Sequence, residues 1–80
     1  MTLKEAIIQR ILDLCDGHGL TINKLSTVCG MTQSTLNNNV NGRNKSTTTS
    51  TIKKICDGLN ITIADFFDDP LFRELEQEIK

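Results

Sequence analysis

Apolar residues recur along this chain at the three-and-four spacing of one helical face. Ile7, Ile8, Ile11, Leu14 and Cys15 form the first such stripe. The spacing returns in Ile22, Leu25 and Cys29, in Leu36 and Val40, in Ile52, Ile55 and Cys56, and in Ile63, Phe66 and Phe67. No stretch alternates in the period-two pattern of a half-buried strand. Between the stripes one local motif appears three times: an apolar residue, Thr, three residues, then another apolar residue. It reads "LTINKL" at 20–25, "MTQSTL" at 31–36 and "ITIADF" at 61–66. The threonine hydroxyl can accept from a free amide of a first helical turn. The flanking apolar pair can close over that turn as a staple. So Leu20 is expected on Leu25, Met31 on Leu36, and Ile61 on Phe66. Thr62 with Asp65, and Thr2 with Glu5, have the spacing of a capping box.

Glycine marks the expected helix ends, because it enters the left-handed region at little steric cost. Gly17, Gly30, Gly42 and Gly58 each follow an apolar stripe. Starts and stops together predict five helices, at about 3–16, 22–29, 33–41, 48–57 and 63–68. Only Gly30, Met31 and Thr32 separate the second from the third. A link that short, with a glycine in it, allows a steep crossing of two helices, as in a helix-turn-helix. The rest of the chain divides into a domain at 1–69 and a tail at 70–80. Leu71, Phe72, Leu75 and Ile79 have the spacing of a short amphipathic helix in that tail. It is expected to pack back on the first and last helices, with a dimer contact as the alternative.

Composition narrows the function. Eighty residues suit one domain. No apolar run approaches a membrane span and none resembles a signal peptide, so a cytoplasmic protein is expected. Cys15, Cys29 and Cys56 are odd in number and far apart in sequence, which argues for buried thiols rather than disulfides or a zinc site. His18 lies between two glycines and reads as a turn residue. No phosphate-binding glycine loop, metal spacing or nucleophile–base pair is evident, so neither an enzyme nor a cofactor is expected. Charge changes the picture more. The net charge is −1, yet no Asp or Glu occurs from Gly17 to Cys56, where Lys24, Arg43, Lys45, Lys53 and Lys54 lie. From Asp65 onward six acids face two cations. A cationic middle suits an anionic partner.

The span 19–67 resembles the Xre-type helix-turn-helix domains of phage repressors and Cro proteins. Leu25 with the small Ser26, the turn glycine Gly30, and the apolar Met31 and Leu36 carry the resemblance. So do "NGR" at 41–43 and "TIKKICDGLNITIADFF" at 51–67. Four positions depart from the family pattern. Asn39 stands where an apolar residue is usual, Thr47 where Pro is common, Thr49 where Leu is common, and Ile22 where a Gln-like residue is usual. The resemblance implies an all-α, compact five-helix, lambda-repressor-like domain. It also implies a sequence-specific DNA-binding transcriptional regulator, a repressor of bacterial or phage origin, with an operator duplex as partner and homodimerisation on DNA. The alternative is a protein-interaction module on the same scaffold, an antirepressor or antitoxin-like partner. No small-molecule ligand is evident.

The resemblance makes 33–41 the recognition helix. With Leu36 facing the core, Val40 lies about 40° away, and Ser34, Asn37, Asn38 and Asn41 share the opposite face. Gln and Asn amides can pair bidentately with adenine in the major groove. Gln33, Ser34, Asn37 and Asn38 are therefore the expected base contacts. Thr21, Asn23, Thr32, Asn41, Arg43, Asn44 and Lys45 surround that helix and are the expected phosphate contacts.

Overall fold

The computed structural model describes residues 1–32, 36, 48–77 and 79. Among them the fold is all-helical, with four α-helices and one 3-10 turn. Helix α1 spans Leu3–Gly17, α2 Ile22–Val28, α3 Thr49–Leu59 and α4 Ile63–Phe67, and the 3-10 turn spans Pro70–Phe72. The expected helix at 33–41 lies outside the described residues, except Leu36, which is helical. None of the described helices is long and apolar enough to cross a membrane.

Threonine caps all four helices. Thr2, Thr21, Thr48 and Thr62 sit in extended backbone, and each hydroxyl accepts from the amide three residues on. Thr2 with Glu5, and Thr62 with Asp65, close full capping boxes. Those hydrogen bonds hold the Glu5 and Asp65 carboxyls below their ordinary pKa. Their contribution is present above the usual carboxylate range and fades as pH falls through the lowered values. Both groups are exposed, so the effect is small.

The helix ends follow a common rule, but not at every glycine the sequence suggests. At three junctions the residue in the left-handed region is Gly19, Gly30 or Asn60, with φ of 65°, 69° and 59°. The next amide then reaches back five residues: Leu20 to the Cys15 carbonyl at 2.8 Å, Met31 to Ser26 at 2.9 Å, Ile61 to Cys56 at 2.9 Å. This is the Schellman closure. The residue that makes it is followed at once by Thr21, Thr32 or Thr62. One apolar residue thus closes one helix end immediately before the next threonine. Leu20, Met31 and Ile61 are each half-buried against the core that holds Leu25, Leu36 and Phe66.

Gly17 and Gly58, read from the sequence as helix stops, are helical. Helix α1 runs on to Gly17 and His18 caps it, with Nδ1 2.8 Å from the Leu14 carbonyl. Helix α3 runs two residues past its expected end, and Asn60 supplies the left-handed turn, which a short polar side chain tolerates.

The core joins Ile7, Ile11, Leu14 and Cys15 of α1, Leu25 of α2, Ile52, Ile55, Cys56 and Leu59 of α3, Phe66 of α4, and Leu36. Helix α1 packs on α2 and on the 3-10 turn, while α3 packs on α2 and α4. Ile63, expected in the α4 stripe, is exposed. Phe66 turns inward, and its ring meets Phe67 edge-on at 5.0 Å; Phe67 meets Phe72 at 4.9 Å. Among the described residues, the tail helix expected over 70–80 is limited to the three-residue turn Pro70–Phe72, capped by the Asp69 side chain. The chain beyond it runs past the first residue, where the Glu76 amide donates to the Met1 carbonyl at 3.1 Å.

Candidate nucleic-acid interface

The unit that would carry a recognition helix is built from α2 and the turn after it. Helix α2 has seven residues, too few to persist alone, so packing must hold it. Leu25 and Ser26 are its buried positions. Ser26 is small enough to let α2 lie close to its neighbours, and its hydroxyl donates to the Asn23 carbonyl at 2.6 Å. Ile22, one of the departures from the family resemblance, is half-buried against the core. That side chain supports α2 rather than facing a phosphate.

After Cys29 the chain turns through left-handed Gly30. The Gly30 amide donates to the Thr27 carbonyl at 3.3 Å and the Met31 amide to Ser26 at 2.9 Å. Four residues beyond Thr32, the Leu36 amide donates to the Thr32 carbonyl at 3.2 Å, an α-helical bond. Leu36 is fully buried. Thr32 is thereby held by the closed turn before it, and Leu36 by its place in the core.

Of the expected site residues, Thr21, Asn23 and Thr32 are described, and all three are exposed. Thr21 Oγ1 accepts from the Lys24 amide at 3.1 Å, which leaves its own proton available to a partner. The Asn23 carbonyl accepts from Ser26 and, at 3.3 Å, from Thr27 Oγ1, while its residue remains open to solvent. The expected base contacts Gln33, Ser34, Asn37 and Asn38, and the expected phosphate contacts Asn41, Arg43, Asn44 and Lys45, lie outside the described residues. Lys24, counted in the sequence only as a charge, stands exposed on α2 beside Thr21 and Asn23. Lys53 is tied to Asp57 one turn on, and that hydrogen bond raises its pKa.

Three acids near the chain's end are occupied with its own structure. Asp65 closes a capping box, Asp69 pairs with Arg10 at 3.2 Å, and Glu76 lies 4.0 Å from the terminal amine. Arg10 was not singled out by its sequence context. Its guanidinium donates to the Phe66 carbonyl at 2.7 Å and to the Asp65 carbonyl at 2.9 Å as well as to Asp69. These partners are more than fifty residues away, so no local pattern announces them.

The three thiols are free. Burial pushes the pKa of each upward, and for Cys29 the neighbouring Cys15 and Cys56 add to the shift. Protonated thiols of this kind are poor nucleophiles. Among the described residues no group of His, Cys, Asp and Glu could hold a metal ion.

A family model described as the Cro/C1-type HTH DNA-binding domain matches residues 10–70. Among solved structures, the chain is similar to that titled "Crystal structure of the prophage Lp1 protein 11". The two share 39% identity with a TM-score of 0.81, over 94% of this chain and 99% of that one. A comparison with curated proteins gives no match.

Proposed function

The chain belongs to the Cro/C1-type helix-turn-helix DNA-binding domain family, and on that premise we propose a sequence-specific transcriptional repressor of phage or bacterial origin. The observation that carries this reading is the closed turn from Cys29 to Thr32. It leads from α2 to Thr32, whose carbonyl accepts from the amide of buried, helical Leu36, in the stretch of chain that lacks acids. In such a unit the second helix lies in the major groove, and its first residues touch base edges. Gln33, Ser34, Asn37 and Asn38 have the amides and hydroxyl for that role. Thr21, Asn23, Thr32, Asn41, Arg43, Asn44 and Lys45 would hold the backbone on either side. Repression follows if the occupied operator blocks polymerase.

Charge sets the affinity. Five cations lie in the acid-free span, and Lys53 is already paired with Asp57. Four contacts per subunit give a slope of log K on log salt of roughly −3 to −4. One domain then binds weakly at physiological salt, and two copies on half-sites one DNA turn apart give a useful operator affinity. Fluorescence anisotropy of a labelled duplex, titrated at several salt concentrations, should return that slope, doubled for a dimer. A slope near zero would favour an uncharged interface and remove the DNA reading.

A further inference from the structure

We propose that Gly58 is a positioning residue for the DNA-reading unit, acting through Cys29. This inference rests on the DNA-binding reading above. A glycine inside a helix weakens it, so its presence in the last turns of α3 needs a physical reason. It does not end the helix, because Asn60 does that. A Cβ placed on Gly58 would stand 2.6 Å from Cys29 Sγ, 3.2 Å from Cys29 Cα and 3.3 Å from Cys29 N. Side chain and backbone of Cys29 both occupy the space a methyl would need. The same thiol lies 4.0 Å from the Ile55 carbonyl, one turn earlier on α3. The C-terminus of α2 is therefore seated on bare α3 backbone. Gly17, also helical, has nothing within 4 Å of its Cβ position.

Cys29 caps α2, and left-handed Gly30 follows it. Backbone hydrogen bonds run from there: Gly30 to Thr27, Met31 to Ser26, and Leu36 back to Thr32. A side chain added at position 58 must push the Cys29 thiol aside and shift the Cys29 backbone by a few tenths of an ångström, and the closed turn carries that shift to Met31 and Thr32, ahead of the helix that would enter the groove. Reading of DNA depends on side-chain placement at the ångström scale, so the contact governs affinity as well as stability. It is also a matched pair. Removing the thiol takes away the 2.6 Å clash and leaves only the two milder backbone contacts.

The test uses a duplex enriched from a random pool by the wild-type chain, with binding measured well below each unfolding midpoint. Gly58→Ala should bind about tenfold more weakly while folded, and Cys29→Ala/Gly58→Ala should recover most of the loss. Phe72→Ala, which loosens the α4–tail packing, should bind like wild type at a comparable loss of melting temperature. Amide shifts of Met31, Thr32 and Leu36 should move in Gly58→Ala and return in the double variant. If Gly58→Ala does not fold, Cys29→Val enlarges the same contact from the α2 side and should show the same losses. A folded Gly58→Ala that binds as wild type with unmoved shifts overturns the proposal, and so does an equal loss in Phe72→Ala. Shifts that move and return, in a wild-type chain that enriches no sequence, support the turn-positioning half and count against the DNA reading instead.

Discussion

Phe66→Ala should cost about 3–5 kcal/mol and lower the melting temperature by on the order of 20 °C. A domain of this size holds roughly 4–12 kcal/mol in total, so this one change removes much of its margin. Three losses coincide at the site. The ring is fully buried, and its removal leaves a cavity among α1, α3 and α4. The edge contact with Phe67 and the tilted one with Phe72 at 6.2 Å go with it. Helix α4 has only five residues, too few to persist without an anchor. Thermal unfolding followed by circular dichroism measures the effect. A loss below about 1 kcal/mol would mean that Phe72 or Phe67 can take over the buried position.

Arg10→Ala should be the next most damaging change, at about 2–3 kcal/mol. The guanidinium spans α1 and α4 as a fork with three partners: two backbone carbonyls at the end of α4 and the Asp69 carboxylate. Its side chain is 15% exposed and that of Asp69 25%, so solvent replaces the lost bonds poorly. The carbonyls belong to the last turn of a helix, where positive charge is favoured. Arg10→Lys should recover less than half, because an ammonium cannot hold the planar three-way geometry. Adding Asp69→Asn to Arg10→Ala should restore part of the loss by removing the stranded carboxylate. A urea-melt double-mutant cycle measures this coupling, and additivity within about 0.3 kcal/mol would show that the two residues act independently.

Local grammar carried most of the fold into the sequence. Thr21 and Thr62, each between apolar residues, mark two helix entries, and the same motif hides the Schellman exits that precede them. The exits were misplaced at Gly17 and Gly58 because glycine has two uses that look alike in a sequence. It can permit a left-handed turn, as at Gly19 and Gly30, or it can permit close approach, as at Gly58 against Cys29. Only the packing partner separates them. Asn60 was missed because Asn enters the left-handed region less often than Gly. Ile63 fits the helical period of α4, yet it is exposed, because a five-residue helix offers little more than one buried position. Arg10 acts over long range, and its partners follow from the way the chain returns to α1. At the interface, the turn and the Leu36 anchor were legible as spacing. The family match, over residues 10–70, spans them.

The central claim is that the amides at the start of the 33–41 segment read DNA bases. Selection from a random duplex pool tests it most directly, repeated with Gln33→Ala and Asn38→Ala. The wild-type chain should enrich a defined sequence. Each variant should lose about 1–3 kcal/mol of discrimination at one base position, while its salt slope stays as in wild type. Enrichment of no sequence, or two variants that select and bind as wild type does, would contradict the account.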